Sequence, residues 1–214
     1  RSRRQRQMCI RDRSRAVRNM KAKLEDLMGV EFYEAATAIP PGIISGNVKV
    51  ISNVVESVGL DVVNVIDEPT AAASVLGITD GAVVDVGGGT TGISILKDGK
   101  VIFTADEPTG GTHMTLVLAG SLGCSFEEAE RIKKDPKQEM LVFPVVKPVI
   151  EKMAAIVARF IEGYDVDVIY VVGGACSFKK FESVFEKETG VKTIKPKEPL
   201  LVTPLGIAMN CNKQ

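Results

Sequence analysis

The segment VVDVGGGTTGISIL, residues 83–96, constrains the fold of this chain more than any other feature. An apolar run leads to an aspartate, three consecutive glycines and two threonines, and a second apolar run follows. This pattern predicts two strands joined by a glycine turn. Because glycines have no Cβ, they let backbone N–H groups approach an anion, so the turn is predicted to bind phosphate. A plain hairpin with a flexible tip is the alternative.

The polar residues around this turn suit a nucleotide. Asp85 ends the first predicted strand, where it is expected to hold Mg²⁺ through water, and Thr90 and Thr91 are expected to offer hydroxyls to phosphate. The segment is not a P-loop, because no Gly-Lys-Ser/Thr follows. It is not a dinucleotide fingerprint either, because no helix opens after the glycines. The sequence therefore predicts a phosphate-binding hairpin.

Composition excludes several classes of protein. The chain is 45% hydrophobic and 25% charged, as is ordinary for a globular protein. No apolar run approaches the roughly 20 residues of a membrane span, and no signal peptide is recognisable. The absence of tryptophan argues against a stacking surface for nucleic acid. The four cysteines have no metal-binding spacing and suit reduced thiols in a cytoplasm.

The first residues differ in character from the rest. Residues 1–14 carry six arginines against one aspartate, although the whole chain has no net charge. Such a basic arm can bind nucleic acid or an anionic membrane. However, residues 7–12 match one reading frame of a common transposon-end sequencing adapter. We therefore interpret residues 1–14 as an assembly artefact or a disordered tail, fused to a truncated reading frame, and exclude them from the fold prediction.

Strand-like and helix-like segments alternate along the remaining chain, which indicates an α/β protein. Asp98-Gly99 is the predicted turn between two strands, and Ser125 with Glu128 forms the predicted start of a helix. Helices are predicted at residues 16–28, 47–58, 67–76, 112–121, from 125 onward, 143–161, 178–188 and 203–210. Strands are predicted at residues 34–41, 62–66, 82–86, 90–97, 100–105, 168–172 and 191–194.

Three further short elements accompany the glycine hairpin. EPTAAA begins at Glu68, where a strand meets a helix. AERIK places Glu130 and Lys133 on one face of a helix. YVVGGA ends a strand at Gly173 and Gly174, where a nucleoside can lie against bare backbone. Each element alone is typical of an ordinary helix or turn, but their order and spacing together favour a nucleotide site.

Together with a Gly-Gly pair before a helix, these elements resemble the actin-like ATPase superfamily of Hsp70 chaperones, actin and bacterial rod-shape proteins. The segments ATAIPPG, NVIDEPTAAA, DEPTGGTH and PLLVTPLGIAMNC resemble, within it, chaperone-like proteins of ethanolamine-utilization operons. The resemblance covers residues 16–211. It implies an α/β, ribonuclease H-like ATPase fold with two lobes around a nucleotide cleft. Residues 15–80 would be an incomplete first lobe, residues 81–200 the second, and residues 201–214 a helix returning toward the first.

The resemblance also implies a role for each motif. Asp85 resembles the aspartate that positions Mg²⁺, and Glu68 resembles the acid that helps to position the attacking water. Glu130 and Lys133 resemble contacts to ribose and adenine. His113 is interpreted as a surface or helix-start residue. The remaining matches are the loop around the β- and γ-phosphates (Gly87, Gly88, Gly89, Thr90 and Thr91), a turn near the phosphates (Gly110 and Gly111) and the adenosine motif (Gly173 and Gly174).

The implied activity is Mg²⁺-dependent ATP binding and hydrolysis. The implied role is chaperone-like service to ethanolamine-utilization enzymes or to shell proteins of a microcompartment. The family's first phosphate motif has no counterpart before residue 16, so we expect this chain to hydrolyse ATP poorly. One alternative is a non-hydrolysing scaffold or microcompartment assembly adaptor. Another is a sugar or carboxylic-acid kinase, although no second catalytic aspartate is recognisable.

Overall fold

The chain forms two compact units. A computed structural model describes residues 3–41 and 45–211. The first unit comprises Arg1–Ile39, Ile43–Asp67 and Ile207–Gln214, and the second comprises Pro40–Gly42 and Glu68–Gly206. The lobe boundaries expected from the sequence stay a prediction. Within the described ranges, every helix is too short or too polar to cross a membrane.

The first unit is built around a pair of parallel strands. Its elements are α1 (Arg3–Met28), β1 (Glu34–Ile39), α2 (Ser45–Glu56) and β2 (Asp61–Asp67). Parallel strands need a crossover, and α2 supplies it. Helix α1 begins at Arg3 rather than at residue 16, so it continues through the arginine-rich segment. The interpretation of residues 1–14 as an artefact stays a prediction.

The second unit is built around a mixed five-stranded sheet. Its strands are β3 (Gly81–Val86), β4 (Thr91–Lys97), β5 (Lys100–Glu107), β6 (Val168–Val172) and β7 (Lys192–Ile194), in the order β5-β4-β3-β6-β7. Strand β4 runs antiparallel to its neighbours β3 and β5, whereas β6 and β7 run parallel to β3. Asp98 and Gly99 have φ values of 51° and 72°, which confirms the predicted two-residue turn.

Six helices accompany this sheet: α3 (Glu68–Leu76), α4 (Gly111–Leu122), α5 (Phe126–Lys134), α6 (Glu139–Ile161), α7 (Phe181–Thr189) and α8 (Pro199–Met209). The side chain of Ser125 accepts a hydrogen bond from the N–H of Glu128, which confirms the predicted start of α5. Helices α6 and α8 each begin four residues earlier than predicted. Helix α7 begins three residues later than predicted, after a separate 3₁₀ turn at residues 174–177.

The central strand β3 is buried on both faces. Val84 and Val86 lie in a large apolar cluster with residues of α4, α6 and α7, whereas Val83 lies in a smaller cluster with residues of α3 and α8. Successive side chains of a strand point to opposite faces, so Asp85 lies on the same face as Val83. A strand that is covered on both faces carries apolar residues on both, which explains why the sequence AVVDV is apolar apart from Asp85.

Helix α8 approaches α3 closely at Gly206. A Cβ placed on Gly206 would lie 1.9 Å from the carbonyl oxygen of Ala71, well inside any allowed contact. Only glycine therefore permits this packing. Gly120, in the last turn of α4, is a contrast, because no atom lies within 4 Å of a Cβ built there.

We expect Gly206→Ala to destabilise the protein by about 1–3 kcal/mol, because the added methyl group must push two helices apart. Gly120→Ala is the control, and we expect it to be stabilising by roughly 0.5–1 kcal/mol through helix propensity. Urea unfolding of both variants measures the difference. Equal stability of the two variants would contradict the close approach of α8 and α3.

Candidate functional site

A cavity of about 570 Å³ opens where β3 and β6 end. Its volume lies within the range of small-molecule sites. Phe178, Leu200, Lys134 and Glu139 line it together with residues predicted from the sequence. The predicted residues that it brings together are Gly87, Gly88, Gly111, Glu130, Lys133 and Gly174.

The loop between β3 and β4, residues 87–90, which we call the glycine loop, is attached to the first turn of α4. The N–H groups of Gly111 and Thr112 donate to the carbonyls of Gly87 and Gly88, at 2.9 and 2.8 Å. A Cβ on Gly110 would lie 2.8 Å from both of those carbonyl oxygens. Close contact with the glycine loop therefore explains the Gly-Gly pair at the start of α4. The same hydrogen bonds join the loop to the helix.

The pair formed by Glu130 and Lys133 lies on the side of α5 that faces α4. The Nζ atom of Lys133 is 2.7 Å from Oε2 of Glu130 and 2.7 Å from the hydroxyl of Thr115, and it donates to the carbonyl of Gly111 at 2.9 Å. The ammonium of Lys134 lies 2.9 Å from Oε1 of Glu130. This confirms that α5 places the two predicted residues together, beside the glycine loop.

The carboxylate of Glu130 is charged at neutral pH. Burial raises its pKa, but hydrogen bonds from Lys133, Thr115 and Lys134 outweigh that effect and lower the pKa to about 2. The carboxylate oxygens have further lone pairs with which to accept hydrogen bonds from hydroxyl groups, whereas the three donors of the Lys133 ammonium are engaged within the protein. A carboxylate oriented in this way is suited to the vicinal hydroxyls of a sugar.

Asp85 lies outside the cavity lining and is 6% exposed. Its Oδ2 atom accepts a hydrogen bond from the hydroxyl of Thr203 on α8. A Cβ on Gly173, whose φ is +93°, would lie 2.5 Å from its Oδ1 atom, so only glycine fits there. Burial raises the pKa of Asp85, and the hydrogen bond from Thr203 opposes that effect.

The two threonines of the hairpin are engaged within the protein. Thr91 is buried, and its hydroxyl donates to the carbonyl of Thr109 at 2.6 Å. The side chain of Thr90 forms a hydrogen bond with the carboxyl of Asp106, whose pKa is raised by burial. The sequence offered no signal for either partner. Contacts of these threonines with phosphate stay a prediction.

Three other predicted positions lie at the edge of this arrangement. Gly89 is exposed at the tip of the hairpin, and Glu68 is half-buried at the start of α3. Neither residue lines the cavity, and their roles toward phosphate and water stay predictions. The Nδ1 atom of His113 accepts the N–H of Gly110 at 3.3 Å, which confirms its interpretation as a helix-start residue.

Sequence reasoning missed several residues of the site. Thr115 and Thr203 lie in apolar helical runs, where a single threonine carries no signal. Phe178 lines the cavity and packs against Phe143, with ring centroids 6.0 Å apart. Lys134 could have been found, because it directly follows Lys133 and lies one helical turn from Glu130.

The residues present are compatible with a magnesium ion bound to phosphate. No group of three or more histidine, cysteine or acidic side chains surrounds a common point in the described ranges. Mg²⁺ at nucleotide sites keeps several waters and uses one or two carboxylates together with the phosphates. Asp85, two residues before the glycine loop, is the candidate carboxylate, and its role toward the ion stays a prediction.

Comparison with known sequences gives matches of two kinds, one to a family profile and others to individual proteins. A sequence profile of the family described as Cell division protein FtsA matches residues 82–206. The Ethanolamine utilization protein EutJ of Salmonella typhimurium is 47% identical over 186 residues, which is 86% of this chain. The chain spans 65% of the length of that relative.

Comparison with solved structures confirms the predicted actin-like ATPase fold. The crystal structure of EutJ from Carboxydothermus hydrogenoformans matches with a TM-score of 0.88 and 51% identity, over 94% of this chain and 74% of that chain. A structure of the PilM–PilN type IV pilus biogenesis complex matches with a TM-score of 0.65 and 18% identity, over 76% and 57% of the two chains, which shows a shared fold alone. This chain belongs to the EutJ family of ethanolamine utilization proteins, within the actin-like ATPase superfamily.

Proposed function

We propose that the cavity binds ATP together with Mg²⁺, and that the protein acts as a chaperone-like ATPase in ethanolamine utilization. Actin-like ATPases generally bind nucleotides. The observation that carries the proposal for this chain is the union, in one cavity, of Gly87 and Gly88 of the glycine loop with the Glu130–Lys133 pair. A nucleotide with its phosphates at the glycine loop and its ribose at the Glu130–Lys133 pair would account for both of these features.

The lining of the cavity offers surfaces suited to both parts of a nucleotide. Gly87 and Gly88 would offer backbone without side chains to the phosphates. Phe178 and Leu200 would offer apolar surface to a base. The side chain of Lys134 is 73% exposed, so its ammonium can turn toward the base while Glu130 remains paired with Lys133.

Asp85 would hold Mg²⁺ through water, and the ion would supply positive charge against the phosphates. The hydrogen bond from Thr203 orients the carboxylate of Asp85. Glu68 would help to position the attacking water in hydrolysis. These assignments rest on the resemblance of the two motifs and on the place of Asp85 at the end of β3.

A non-hydrolysing scaffold is the second candidate function. The observation that favours it is that the carboxylate of Asp85 is buried, bonded to Thr203 and outside the cavity lining. Such a protein would bind ATP and release no phosphate. An assay of phosphate release with saturating Mg²⁺-ATP separates the two functions, and turnover that Asp85→Asn abolishes would exclude the scaffold.

The biological role is proposed from the name that the relatives carry. It would be service to enzymes or shell proteins of ethanolamine utilization, in the bacterial cytoplasm or at a microcompartment. The proposal of a protein client rests on the resemblance to chaperones of the superfamily.

We expect Lys133→Met to weaken ATP binding by at least about tenfold, because Glu130 loses a partner within the cavity and the site loses a positive charge. Arg131→Met is the matched control, because Arg131 lies on the same helix with a 77% exposed side chain and pairs with Glu128 at 3.8 Å. Isothermal titration with ATP measures both. Equal affinity of the two variants would contradict the proposed site.

We expect Mg²⁺ to strengthen ATP binding by the natural protein and to have little effect on Asp85→Asn. The substitution removes the negative charge that attracts the ion but leaves the cavity lining unchanged. Affinity for ATP in the presence of Mg²⁺ and in excess EDTA measures the difference for each protein. The magnesium proposal fails if the ion strengthens binding equally in both.

A further inference from the structure

We infer that Thr115, in the second turn of α4, is a positioning residue that holds Lys133 and Glu130 in the arrangement that receives a ribose. This inference rests on the proposed nucleotide site and adds a residue to it. Thr115 is fully buried, although it is polar, and it does not line the cavity. It therefore acts through the pair rather than on the ligand.

The first argument is the complete pairing of the Lys133 ammonium. A lysine ammonium has three donors and no acceptor. The Nζ atom of Lys133 has three acceptors: Oε2 of Glu130 at 2.7 Å, the hydroxyl of Thr115 at 2.7 Å and the carbonyl of Gly111 at 2.9 Å. Because the side chain of Lys133 is only 12% exposed, water is a poor substitute for any of them.

The second argument is the geometry of the Thr115 hydroxyl. This group accepts from Lys133, and its own proton can go to the Oε2 atom of Glu130 or to the carbonyl of Gly111. One hydroxyl thus contacts both members of the pair. A residue of similar shape without the hydroxyl would leave Lys133 with an unpaired donor in a mostly buried position.

The third argument is the position of Thr115 one turn after Gly111. The N–H of Gly111 donates to Gly87 of the glycine loop, and its carbonyl accepts from Lys133. Helix α4 therefore contacts the loop through the N–H groups of its first turn, and it contacts the Glu130–Lys133 pair through the carbonyl of Gly111 and the hydroxyl of Thr115. Thr115 thus joins the pair to the same helix that holds the proposed phosphate end of the site.

The test compares Thr115→Val, which keeps the shape, with Thr115→Ser, which keeps the hydroxyl. The ligands are ATP, 2′,3′-dideoxy-ATP and inorganic tripolyphosphate, titrated calorimetrically. We expect Thr115→Val to lose about tenfold in ATP affinity and to keep its affinity for the other two ligands. Thr115→Ser should behave like the natural protein. Thr115→Ala provides the same comparison if the valine variant does not fold.

Equal losses for all three ligands would overturn the inference, because they would indicate a general structural effect. An unchanged preference for ATP over 2′,3′-dideoxy-ATP in Thr115→Val would overturn it as well.

A measurement without nucleotide separates this inference from the proposed function. ¹⁵N NMR of the Lys133 ammonium should show slowly exchanging protons in the natural protein and in Thr115→Ser, and fast exchange in Thr115→Val. If the exchange changes in this way but the natural protein binds no ATP, the proposed function fails and the positioning of the pair stands. Unchanged exchange in Thr115→Val would overturn the positioning role itself.

Discussion

The hydrogen bonds between the glycine loop and the first turn of α4 determine the arrangement of the whole site. Backbone N–H groups at the start of a helix have no partner within the helix, and here Gly111 and Thr112 donate theirs to the carbonyls of Gly87 and Gly88. The loop is thereby held by a helix as well as by its own turn, in which the N–H of Gly87 donates to the carbonyl of Thr90 at 3.0 Å. The Glu130–Lys133 pair of α5 is bonded in turn to α4, through Gly111 and Thr115.

The ionic pair on α5 illustrates the cost and benefit of burying charge. An isolated buried ammonium would be strongly unfavourable, but Lys133 finds three acceptors and Glu130 finds several donors. A pair held in this way cannot relax toward solvent. The orientation of the two side chains is fixed without a ligand, so less conformational entropy would be lost when a ligand binds.

Local patterns in the sequence predicted those parts of the structure that depend on neighbours along the chain. The hairpin turn at Asp98, the start of α5 and the joint placement of Glu130 and Lys133 follow from spacing alone. The bond from Thr203 to Asp85 joins residues 118 positions apart. Such a contact depends on how α8 packs against the sheet, and a threonine in an apolar helix does not reveal it.

The burial of β3 on both faces has a consequence for how this protein can diverge. The cluster that contains Val84 also contains residues of α4 and α5, whereas the cluster that contains Val83 contains residues of α3 and α8. The Glu130–Lys133 pair of α5 thus belongs to one layer, and Asp85 with Thr203 to the other. Under the proposed function, substitutions in the Asp85 layer would affect metal-dependent hydrolysis, whereas substitutions in the other layer would affect nucleotide binding. The two proposed activities would then be able to diverge separately.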